Sequence, residues 1–253
     1  MRPMIVAMLL DFHVIRMANF LTIAILAGAL SGIGLSVLQE FTTTPLIIIA
    51  EKYEDIALKP LVESGFNIQI NSIVSEFFHD HNSSEWFPGN GIERLLYTCL
   101  SNVILGIGYG FILVGCIILR NQSINSRIGV IWGIAGFVIF TFAPSLGLPP
   151  ELPGLAVADL ASRQLWWFCT VICTAVSLWL IVFQRSWVLN CCGFLILASP
   201  HIIGAPHSIE LSGKIPPEIV GYFVSASLVS AAVFWILLGW LSGAMYRHMA
   251  YKE

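Results

Sequence analysis

The sequence predicts an all-α, polytopic transmembrane helix bundle, and three observations carry that reading. Of 253 residues, 57% are hydrophobic and only 11% are Asp, Glu, Lys or Arg. Soluble domains average about 45–50% apolar and about 25% charged. The apolar residues gather into runs close to the roughly 20 residues that a spanning helix needs. Finally, Lys and Arg fall unequally between alternate ends of those runs.

Taken in order, residues 1–17 read as a cytoplasmic N-terminal extension, or as residues upstream of the true start. Their apolar run, 4–10, is too short to span, and Met17 stands immediately before the first long apolar segment. No small-residue cleavage site precedes a soluble body, so a removed signal peptide is not expected. Residues 18–253 read as a single transmembrane domain whose spans are 18–38, 95–119, 128–146, 165–183, 187–203 and 219–246. The fifth is short, ends at Pro200 and carries His201, so a five-span fold with a re-entrant fifth segment is the alternative. Residues 39–94 form a large extracytoplasmic loop, too long for an ordinary connection and too apolar for disorder.

Charge sets the direction. One set of span ends carries seven basic residues against two acids, and the opposite set carries five against thirteen. The faces therefore stand at +5 and −8 and together give the net −3. The short connections 121–127 and 184–186 lie on the positive face, which places both termini in the cytoplasm. An even number of spans is required, and six satisfies it. Net charge this close to zero gives no reason to expect nucleic acid as a partner.

Within the spans, small residues recur at four-residue spacing: Ala24, Gly28, Gly32 and Ser36, then the pairs Gly106 and Gly110, Gly129 and Gly133, Gly239 and Gly243. Such stripes let helices approach closely in lipid, where no hydrophobic drive separates helix from solvent. Trp86, Trp166, Trp167, Trp187 and Tyr246 fall near the expected interfaces. The six cysteines lie in apolar runs and read as packing residues; Cys169 and Cys173, four apart, are the one pair with ligand spacing.

The span interiors hold no Asp, Glu, Lys or Arg, unlike ion-coupled transporters that keep ionisable groups at depth. Candidate chemistry therefore sits in the acidic loops. Ile70, Ile73, Val74, Phe77 and Phe78 have helical apolar spacing, and Glu76, His79 and Asp80 could share the opposite face, with His81 following at once. Imidazole with carboxylate suits a borderline divalent metal such as cobalt, nickel or zinc; the plain alternative is a solvated loop. A second cluster is His201 and His207, each next to a proline, with Glu210 close behind. A polar ring at a membrane boundary is a functional candidate, and a histidine bonded to a nearby carbonyl is its plain alternative. The third is the 143–154 stretch, with four prolines in ten residues and Glu151 at its apex. Irregular backbone at membrane depth is tolerated where it lines a cavity. There is no phosphate-binding loop, no Ser-His-Asp arrangement and no pair of deep histidines, so an enzyme is not expected.

These pieces together resemble the CbtA family of predicted cobalt transporter subunits. The matching segments are 26–32 with Gln39, 45–54, His79-Asp80-His81 leading to 85–94, the 132–154 run and 163–167. The 200–207 stretch, 226–228, 234–235 and 239–247 complete the match, which covers nearly the whole chain in order. The resemblance implies a bacterial inner-membrane protein of cobalt uptake and a small single-span partner, CbtB, with a histidine-rich end. Family members often carry a longer histidine-rich tract in the first outer loop; here it is reduced to His79 and His81. The expected function is a transporter subunit admitting Co2+, with Ni2+ as the alternative ion and no tightly bound cofactor. Its expected metal ligands are His201, His207, Glu151, His79, Asp80 and His81. The alternative is a non-transporting subunit that holds metal for a partner permease.

Overall fold

The computed structural model describes residues 2–63, 88, 89, 91–120, 124–207 and 215–250, with side chains from 17 to 53 and from 88 to 249 within those stretches. The described residues are helical, with no strand among them. Helix α1 runs unbroken over Arg2–Thr42 and α2 over Thr44–Glu63. Residues 2–17 are thus continuous with the first span, and 44–63 of the loop expected at 39–94 form a second helix. The amphipathic segment expected at 70–78 lies outside the described residues. Then follow α3 (Ile92–Leu119), α4 (Ser126–Phe137), α5 (Leu160–Phe183), α6 (Trp187–Ile203) and α7 (Pro217–Ala250).

Among the described residues, five helical stretches are long and apolar enough to cross a membrane: Met17–Thr42, Ile92–Leu119, Ser126–Ser145, Leu160–Phe183 and Pro217–Met249. The fifth expected span, α6, has 17 residues, about 25 Å at 1.5 Å per residue against a hydrocarbon core of about 30 Å. It nevertheless returns the chain to the end from which α5 began. Gly193 lies against Ser177, and further along the Trp166 indole donates to the Pro200 carbonyl at 3.2 Å. Large side chains such as Ile104, Leu165, Ile172 and Leu195 stay exposed on the outer surface, as expected where the surrounding solvent is lipid.

Two glycine seams build the body. On the antiparallel pair α1 and α3, a Cβ placed on Gly28 would stand 2.4 Å from the Gly106 carbonyl oxygen, and one on Gly110 would stand 2.4 Å from that of Ala24. On α4 and α7, a Cβ on Gly129 would stand 2.1 Å from the Gly239 oxygen. Backbone therefore meets backbone, the arrangement that small residues permit in lipid. The pairs join where α1 packs on α7, around Leu35, Phe234, Trp235 and Leu238. Helix α5 reaches this body chiefly through the end of α4, and α6 packs chiefly on α5.

The end of α4 is where the regular ladder gives way. Pro144 has no N–H for the Phe140 carbonyl, and a proline ring crowds the carbonyl four residues before it. The chain widens into a π-helical turn, Val138–Phe142, in which the Ala143 N–H reaches back to Val138. One α turn, Ala143–Ser145, follows before the proline hairpin. Trp235 buttresses this turn: it stacks on Phe140 at 5.6 Å and 10°, and its indole donates to the Thr141 hydroxyl at 3.3 Å.

Candidate functional site at the acidic end

Helix directions bring α2, the proline hairpin and the start of α7 to one end of the bundle. There Ala50, Leu152, Ile215 and Phe223 form a shared apolar cluster with Ile47, Tyr53 and Ile219 around it. The acid-rich loops described here thus share an end, as the sequence required. Ion pairs tie the elements together: Arg94 of α3 binds Glu51 of α2, and Arg163 of α5 binds Glu151 of the hairpin. Asp159 caps α5, accepting from the Ser162 N–H at 3.0 Å and its hydroxyl at 3.1 Å.

His201 is half-buried in the last turn of α6, its ring edge-on to Trp166 at 5.8 Å. Trp166 is the meeting point of two predicted clusters. A Cβ on Gly147 would touch its ring at 2.4 Å and the Ala205 methyl at 3.0 Å, so the proline hairpin and the 200–207 stretch lie side by side. His207 is exposed. Glu151, half-buried, is engaged by Arg163. Among the described residues, no three of His, Cys, Asp and Glu come together as a metal-holding group. The structure thus juxtaposes the segments bearing His201, His207 and Glu151 without closing a ligand set. His79, Asp80, His81 and Glu210 lie outside the described residues.

Two cavities open near this end. One, of about 450 Å3, lies between the π-turn and α5, with Thr141, Pro144, Glu151, Arg163 and Trp167 in its wall. The other, of about 400 Å3, lies between α1 and α3 and is lined by Gln39, Thr43, Tyr97, Thr98, Ser101 and Asn102. Its floor is a buried polar chain in which the Asn102 amide donates to Ser36 Oγ at 3.0 Å and to Gln39 Oε1 at 2.6 Å. Directly below, Gly32 packs on the Asn102 backbone and Gly28 on Gly106. That makes the second cavity a blind vestibule. Sequence reading weighed charged residues, histidines, cysteines and the proline-rich backbone and passed over this network. The signal was present as Asn102, a strongly polar residue inside an otherwise apolar run.

Fold and site define a polytopic helical membrane protein with a polar, acid-rich end. Residues 17–247 match the CbtA family, described as probable cobalt transporter subunit, and the chain belongs to that family. No curated protein and no solved structure matches it.

Proposed function

We propose that this cobalt transporter subunit admits Co2+, with Ni2+ a possible second substrate, from the acid-rich side of a bacterial inner membrane. The observation that carries the reading is the convergence on Trp166 of the hairpin bearing Glu151 and the stretch bearing His201 and His207. Imidazole and carboxylate together match a borderline divalent cation. The net −8 of that face would raise the local cation concentration, less so at high salt. In this reading His79, Asp80 and His81 capture the ion transiently and pass it to the mouth formed by His201, His207 and Glu151. Both termini are cytoplasmic, and a small single-span, CbtB-like subunit is the expected partner. The test is Co2+ uptake by cells carrying His201→Ala with His207→Ala, at matched membrane levels of protein. Uptake should fall at least about tenfold, a loss of about 1.4 kcal/mol of ion recognition; unchanged uptake would remove the histidines from the path.

A second reading, a non-transporting subunit that holds metal for a permease, is favoured by the backbone-tight glycine seams, which leave no passage between α1 and α3 or between α4 and α7 at those levels. Purified protein in liposomes separates the two, since metal binding without flux supports holding.

A further inference from the structure

Glu151 and Arg163 pair in the wall of the 450 Å3 cavity and tie the proline hairpin to the start of α5. Glu151 stands on the proline hairpin that continues from α4. Arg163 stands in the first turn of α5, beyond Asp159. The same wall includes Phe140, Thr141 and Pro144 of the π-turn region, where Pro144 offers the Phe140 carbonyl no N–H.

The guanidinium is incompletely satisfied. Its terminal nitrogen holds Glu151, while Nε is buried without a hydrogen-bond partner among the described residues. A five-donor group held at one end is less firmly fixed than one whose donors are all matched. Its side chain is still about a quarter exposed, so it can swing toward water on release.

From this geometry we propose that Arg163 is a gate: a tethered cation that neutralises Glu151 at rest and that an arriving divalent ion must displace to reach Glu151 in the cavity wall. This deepens the function proposed above and rests on its assignment of Glu151 to the mouth. The device has a physical purpose. With Arg163 in place, the cavity holds no net charge and does not trap stray monovalent cations. A divalent ion exchanges for a single guanidinium charge and leaves the mouth one charge more positive, which favours onward movement.

The test is calorimetric titration of Co2+ into purified full-length protein: wild type, Glu151→Gln, Arg163→Gln and the double variant, each checked for an unchanged thermal transition. The gate requires Arg163→Gln to bind Co2+ at least about tenfold more tightly than wild type, and the double variant to lose that gain. Binding by Arg163→Gln equal to or weaker than wild type overturns the gate. In that case, weaker binding by Glu151→Gln would show that Glu151 still serves the mouth, and unchanged binding would remove it as well. Should Arg163→Gln fold poorly, modification of Arg163 by phenylglyoxal in the wild-type protein, read by peptide mass spectrometry, decides the question. Co2+ should speed modification at Arg163 several-fold by freeing the guanidinium, and an unchanged rate would overturn the gate.

Discussion

At the scale of single residues, the acid-rich end is arranged by short local bonds, and Asp159 offers a direct handle on one of them. Its carboxylate is held below the ordinary carboxylate range, first by the Ser162 N–H, then by the Ser162 hydroxyl. A carboxylate at a helix N-terminus also faces the positive end of the backbone dipole. Because the folded-state pKa is lowered, the charge stabilises the fold in full above the unfolded value, near about 3.9, and that contribution is lost as pH falls through the lower folded value. Asp159→Asn keeps a cap oxygen and removes only the charge. Wild type should therefore melt above Asp159→Asn by a constant margin at neutral pH, and the margin should close as pH drops below about 4. A margin that persists in acid would show that geometry, rather than charge, sets this cap. The residue scale is also where sequence reading stopped short. Glu151 was visible as the apex of a proline-rich stretch, but its engagement by Arg163, twelve positions on, depends on how the chain folds back between them, and spacing does not encode that return.

At the scale of helices, the small-residue stripes were legible and their pairing was not. Four-residue spacing marked one face on each of α1, α3, α4 and α7, yet nothing in the spacing says that Gly28 meets Gly106 or that Gly129 meets Gly239. The structure turns the stripes into a test with an internal control. Gly28→Ala drives a methyl into the backbone of α3 at 2.4 Å, and overpacking of this kind costs about 1–3 kcal/mol. Gly108, two residues from Gly106 on the same helix, has open space where its Cβ would stand. Gly108→Ala should therefore gain about 0.5–1 kcal/mol from reduced backbone freedom. In detergent, the apparent Tm should fall for the first and rise slightly for the second. Equal shifts would mean that α1 and α3 do not pack along this seam. The π-turn was hidden for a different reason. Pro144 signalled that α4 must end or bend, but widening rather than termination depends on support from Trp235, nearly a hundred residues away.

At the scale of the whole molecule, fold class followed from composition because lipid imposes so strict a rule: every backbone group must be satisfied within the span. Run length marked the five described stretches that are long and apolar enough to cross, and charge gives the direction they are expected to take. The weak segment is α6, whose 17 residues are why re-entry stood as the alternative to a sixth span. Pro200 beside Trp166 and Gly193 beside Ser177 run α6 back along α5, with its end level with the start of α5. Ala156, just beyond the proline hairpin, and Ser186 in the α5–α6 turn, both exposed, flank α5 and face opposite compartments if α5 crosses. The positive-inside rule places Ser186, next to Arg185, in the cytoplasm. The six native cysteines are all free thiols and would be replaced before a single cysteine is introduced at either position. In intact cells, a membrane-impermeant maleimide should label Ala156→Cys, and Ser186→Cys should react only after permeabilisation. The inverted pattern would place the acid-rich end in the cytoplasm and turn the proposed capture mouth into an exit. Labelling of both from outside would mean that α5 itself does not cross, and the even-span arrangement would fail with it.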